Sequence, residues 1–143
     1  MIYTIDTNSL VDALRRPADL EHLKEFLNWA LPQTELSSVV ASELLAGART
    51  ETARRLVERE LLGAFERRSR IIAPSPEAWA KTGLLLGRSS GGTVGALSQN
   101  DLLLAYTARE LGWCIITRDT DFRRIRAQVK GLRVEAPYPL RPN

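Results

Sequence analysis

Sulfur and imidazole are nearly absent from this chain, which has one cysteine and one histidine in 143 residues. A lone Cys114 cannot form an internal disulfide framework. Set in the apolar run WCIIT, it reads as a small buried hydrophobe rather than a reactive thiol. His22 lies in a charged helical stretch and reads as a surface residue. With so few nitrogen and sulfur donors, a zinc site is excluded as the organising chemistry. No apolar run approaches the roughly 18 residues needed to cross a bilayer. The opening MIYTIDTNSL has no basic segment ahead of its apolar stretch, so it does not read as a secretory signal. No phosphate-cradling loop of the Walker type occurs. These absences describe a cytoplasmic protein with no membrane partner.

What is present is ordinary in amount and uneven in placement. A hydrophobic share of 44% and a charged share of 26% suit one core, and residues 1–143 read as a single domain. Residues 136–143, APYPLRPN, read as a loose tail. The net charge is +3, with a pI near 9.4. Arginines cluster at Arg49, Arg54, Arg55, Arg59, Arg67, Arg68 and Arg70, and again at Arg118, Arg123, Arg124 and Arg126, followed by Lys130. Such patches attract polyanions. The first cluster also alternates with Glu51, Glu58, Glu60 and Glu66, the pattern of a solvated helix face.

Short β-rich runs alternate with helical periodicity. Strands are expected at Ile2–Ile5, Thr34–Ser37, Arg70–Ala73, Trp113–Thr117 and Leu132–Glu135. Helices are expected over 7–14, 17–30, about 38–48, 51–65, 76–88, 98–111 and from about Asp121. Ser75-Pro76-Glu77 is a helix start with cap, proline and first-turn acid in order. Gly112 closes a helix. Residues 89–97 form a loop. The alternation predicts an α/β three-layer sandwich, a mostly parallel central sheet flanked by helices.

In such a sheet, strand C-termini and the helix starts that follow them share one edge, where ligands bind. Four acids fall there: Asp6 after the first strand, Glu43 early in a helix, Asp101 in the first turn of another, and Asp119 just past strand 113–117. Each has a plainer reading. Asp6 can cap the helix starting at Thr7, Ser98 to Asp101 can be a capping box, Glu43 can be a surface residue and Asp119 a turn residue. Against these, Asp101 shares a helix face with Leu104, Ala105 and Ala108, and Glu43 lies beside Val39 and Val40. Gathered carboxylates repel one another, so they bind protons or hold a cation. Oxygen-only donors select Mg²⁺ or Mn²⁺. A hard dication in a carboxylate cup hydrolyses phosphodiesters. The hydroxyls of Thr7, Ser9 and Thr117 and the amide of Asn8 are placed to orient the acids.

The segments IDTNSL, VVASELLAGA, NDLLLAYTARELG and IITRDTDF, in this order, resemble the PIN-domain ribonucleases, and most of all the VapC-type toxins. The resemblance implies a PIN-like fold and an Mg²⁺- or Mn²⁺-dependent endoribonuclease. Asp6 and Asp101 would be direct metal ligands, with Glu43 and Asp119 completing the cup or acting through water. Asp121 is either a fifth acid or the cap of the short helix after it. A homodimer and a cognate antitoxin are also implied, the antitoxin lying in a groove formed by the helices around residues 39–65. GRSSGGTVGALSQ, before Asp101, departs from the family in its length and glycine content. The alternative is a catalytically silent PIN-like module that binds RNA or a partner. An aspartate-based phosphatase of the haloacid dehalogenase type needs an acid two residues after Asp6, where Asn8 stands. A phospho-receiver needs paired acids and a late lysine, neither of which is evident.

Overall fold

A computed structural model describes residues 1–89 and 97–143. The glycine-rich departure before Asp101 falls largely on residues 90–96, outside the described residues. In chain order the elements are β1 (Ile2–Ile5), α1 (Thr7–Arg15), α2 (Pro17–Ala30), β2 (Leu36–Ser37), α3 (Ser38–Gly47) and α4 (Glu51–Val57). After α4 come α5 (Gly63–Glu66), β3 (Ile71–Ile72), α6 (Pro76–Ser89), α7 (Gln99–Leu111), β4 (Trp113–Ile116), α8 (Asp121–Gln128) and β5 (Arg133–Glu135). The single helix expected over 51–65 is instead α4 and α5 joined through a π-helical turn at Glu58–Leu62. Leu61, Leu62 and Phe65 are all buried in the core.

Every strand pairing is parallel. β1 pairs with β4 and β4 with β5, while β2 pairs with β3. The two sheets meet at a parallel bridge between Tyr3 and Thr34, closed by the Glu35 N–H donating to the Tyr3 carbonyl at 2.9 Å. The strand order across the molecule is therefore β3-β2-β1-β4-β5. Chain connections leave β1 in one direction and β4 in the other, which opens a crevice at the strand C-termini between them. Asp6 and Asp119 follow those two strands.

The central strands β1 and β4 are short and mostly apolar, and helices cover both their faces: Ile5, Ile115 and Ile116 are completely buried. Cys114 is buried among them, and burial, with Glu135 nearby, pushes its thiol up to about 11. Residues 136–143 hold no regular element, yet Tyr138 stacks on Phe26 with ring centroids 5.4 Å apart and packs against the core. The first part of the segment expected to be loose is thus docked on α2 by an aromatic anchor. Leu140 is 91% exposed.

Candidate metal centre

Each acid reaches the sheet edge by a local device. Asp6 ends β1 and caps α1, its carboxylate accepting the Thr7 N–H at 2.8 Å. The second oxygen accepts the Thr117 hydroxyl, also at 2.8 Å, so the crevice is laced together across 111 residues of sequence. Thr117 also accepts the Asp119 N–H at 3.0 Å. Glu43 stands on α3, which starts where the Ser37 side chain caps it, and its carboxylate accepts the Thr7 hydroxyl at 2.9 Å. The Asn8 amide donates to Asp119 at 3.4 Å. Thr7, Asn8 and Thr117 are therefore donors to the acids. Ser9 does not join them: its hydroxyl is buried without a hydrogen-bond partner among the described residues.

Asp101 resolves its two readings in part. The Ser98 hydroxyl accepts the Asp101 N–H at 3.3 Å, so Ser98 does cap α7. That bond uses the backbone of Asp101 and leaves its carboxylate free for the crevice. Leu104, Ala105 and Ala108, one turn and more along α7, are buried. Asp121 joins the other acids and is not the cap of α8, whose N-cap is Thr120 with no side-chain cap bond. It opens α8, donates its N–H to the Asp119 carboxylate at 2.9 Å and accepts Arg124 at 3.0 Å.

Asp101, Asp119 and Asp121 each offer an oxygen, all within 4.8 Å of one another. Two like charges at that separation repel by about 3 kcal/mol at an effective dielectric of 20, so three cannot stay ionised together without compensation. Asp101 is pushed up to about 7, chiefly by burial and then by Asp6, Asp119, Glu43 and Asp121. Asp6, only 3% exposed, is pushed up to about 6 by burial, opposed by the Thr117 and Thr7 hydrogen bonds and assisted by Asp119 and Glu43. All five acids thus share one electrostatic neighbourhood. The closest trio differs from the sequence expectation: Asp121 is in it, while Asp6 and Glu43 stand behind, already hydrogen-bonded. The spacing of Asp119 and Asp121 around a helix start was the available signal, since one tight turn brings such a pair to the same point.

The donor set is all oxygen and carries more negative charge than its surroundings neutralise, which fits a hard dication better than any soft metal.

The PIN domain family model matches residues 3–128. No curated protein matches the sequence closely enough to count as a relative. Among solved structures the chain is similar to FitAB bound to an IR36 DNA fragment, at TM-score 0.67 and 22% identity, with 99% of each chain covered. It is similar to DNA-bound VapBC from Salmonella typhimurium at TM-score 0.65 and 22% identity, covering 95% of this chain and 98% of that one. A toxin–antitoxin complex from Klebsiella pneumoniae matches at TM-score 0.63 and 26% identity, covering 96% and 99%.

Proposed function

Because the chain belongs to the PIN domain family, we propose that it is an Mg²⁺- or Mn²⁺-dependent endoribonuclease, the VapC-type toxin of a cytoplasmic toxin–antitoxin pair. The observation that carries this reading is the convergence of Asp6, Glu43, Asp101, Asp119 and Asp121 on the crevice between β1 and β4. Asp101, Asp119 and Asp121 would hold the dication, with Asp6 and Glu43 completing the cup. The bound ion would polarise a phosphodiester and activate a water. The chain's own residues do the positioning. Thr117 ties Asp6 to the Asp119 backbone, Thr7 holds Glu43, and Asn8 holds Asp119, so the acids enter the reaction already oriented.

An antitoxin partner is supported by the Klebsiella pneumoniae complex and by a groove on this chain. A cleft of about 260 Å³ runs between α1, α3 and α4, lined by Leu14, Leu44, Leu56 and Val57 and reaching Glu43. An apolar groove ending at the acidic crevice suits an amphipathic segment that sends a basic side chain to the acids. The cleft overlaps the 39–65 region where the antitoxin groove is expected and adds α1 as a further wall. The chain would act as a homodimer.

RNA cleavage by purified protein with Mg²⁺, with EDTA and with Asp6→Asn tests the reading. Cleavage is expected only with the wild-type chain and the dication. Cleavage that survives both EDTA and the substitution would refute the metal mechanism. Wild type that binds RNA and never cuts it, with no partner co-purifying, would favour the silent binding module.

A further inference from the structure

The arginine-rich stretch after β4 is a single run in sequence, and the fold sorts it into three fates. Arg118 is held by Asp12 and Asp19, each at 3.3 Å. Arg124 pairs with Asp121. Arg123 and Arg126, three positions apart on α8, have no ion-pair partner among the described residues. Both line a cleft of about 410 Å³ that begins at Thr117 and Asp119 and runs under α8 to Glu135. In the first arginine cluster, Arg54 and Arg55 pair with Glu51, Arg54 also with Glu58, and Arg59 with Glu60, whereas Arg49, Arg67, Arg68 and Arg70 form no ion pair among the described residues. On the Asp119 side of the acidic crevice, Arg123 and Arg126 put unpaired positive charge in this cleft, with Glu135 at its far wall, while Arg15 stands near Glu43 on the other side.

We infer that Arg123 and Arg126 form a subsite for the RNA backbone, gripping a phosphodiester next to the one that is cut. The inference rests on the nuclease reading for the identity of the scissile bond. Its physical basis is separate. A carboxylate cup repels the polyanion it must admit, and the dication offsets that repulsion only at the reacting phosphate. The neighbouring phosphate needs cations of its own on a rigid element beside the cup, and the cleft begins at Thr117 and Asp119. Two arginines on one face of α8 supply them, with the planar fork that matches phosphate oxygens. Neither touches the reacting atoms in this scheme, so both are positioning residues.

The test uses the full chain in an Asp101→Asn background, which keeps the probe intact, and a fluorescein-labelled single-stranded 12-nucleotide RNA read by anisotropy. Arg123→Gln and Arg126→Gln are each expected to weaken binding about 10-fold at low salt. Together they should flatten the slope of log affinity against log salt by about 0.7, the contribution of one neutralised single-strand phosphate. Lysine at either position should recover most of the slope. Arg55→Gln, which removes a cation already paired on α4, should stay within about twofold of its parent. In the cleaving background the glutamine variants should raise KM for a long RNA about 10-fold, with kcat within about twofold. Affinity and salt slope unchanged in the double variant would overturn the inference, as would a parent chain with no measurable affinity for the probe. A fall in kcat with KM unchanged would also overturn it, by placing the arginines on the reacting phosphate. If the wild type cuts nothing and the double variant still loses affinity and slope, the nuclease reading falls and the subsite stands.

Discussion

At the scale of single residues, the acids of the crevice are kept at a cost to the fold. Asp6 and Asp101 both bind protons more tightly in the folded chain than an ordinary carboxylate does, because burial and like charges disfavour their ionised forms. Replacing Asp6 by Asn removes the buried charge and keeps a side chain able to accept one of its two hydrogen bonds. We expect Asp6→Asn to stabilise the metal-free protein by about 1 to 2 kcal/mol at pH 7.5 while lowering RNA cleavage about 100-fold or more. Urea denaturation alongside a cleavage assay checks both; a variant that is less stable and equally inactive would mean that Asp6 is a structural acid. Thr117 is the complementary case. Thr117→Val preserves shape, removes the donor to Asp6 and the acceptor of the Asp119 N–H, and should cost about 10- to 100-fold in metal affinity or rate. Calorimetric Mn²⁺ titration reads the first quantity directly, and an unchanged affinity with an unchanged rate would remove Thr117 from the site.

Helix ends are where the elements meet the site. α7 carries Asp101 in its first turn, with Ser98 capping it and Gly112 closing it in the left-handed region at φ 73°. Ser98→Ala should destabilise the chain by about 1 kcal/mol. Cleavage by the folded fraction should fall less than 10-fold, because the cap holds the backbone of Asp101 and not its carboxylate. A loss as large as that of an acid variant would show that Ser98 sets the carboxylate itself. Gly112→Ala places a Cβ where the backbone has positive φ, and about 1 kcal/mol of stability should be lost there too. The π turn at Glu58–Leu62 is the element that periodicity could not supply. Apolar spacing over 51–65 reads as one helix, since Val57, Leu61, Leu62 and Phe65 fall on one face at the α-helical period, so the spacing carries no sign of the extra residue.

For the molecule as a whole, the raised carboxyls make stability depend on pH in a definite direction. The folded chain takes up protons between about pH 4 and 7 that the unfolded chain does not. The metal-free fold therefore gains stability as pH falls through that window and loses it as pH rises. Thermal unfolding of the metal-free protein should occur several degrees higher at pH 5 than at pH 7.5, and Mn²⁺ should raise the midpoint more at pH 7.5, where the acids compete for it without protons. A midpoint that is flat from pH 5 to 7.5, or an equal Mn²⁺ shift at both, would contradict a shared acidic cup. Much of this architecture was legible in the sequence, because it rests on local signals. The first β-rich tetrapeptide ends at Asp6 and Asp119 follows shortly after Trp113–Ile116, Pro17 and Pro76 open helices, Gly112 closes one, and alternation with helices predicts a parallel sheet whose C-terminal edge gathers Asp6, Glu43, Asp101 and Asp119. Local signals stop at the distances between elements. Only the tertiary structure decided that Asp121 joins Asp101 and Asp119 in the closest trio, that Asp6 stands behind them on Thr117, and that Tyr138 is anchored on Phe26. It also split the second arginine cluster into paired and unpaired members. A residue's own neighbours in sequence determine its backbone; which charges it meets is determined by packing between segments a hundred residues apart.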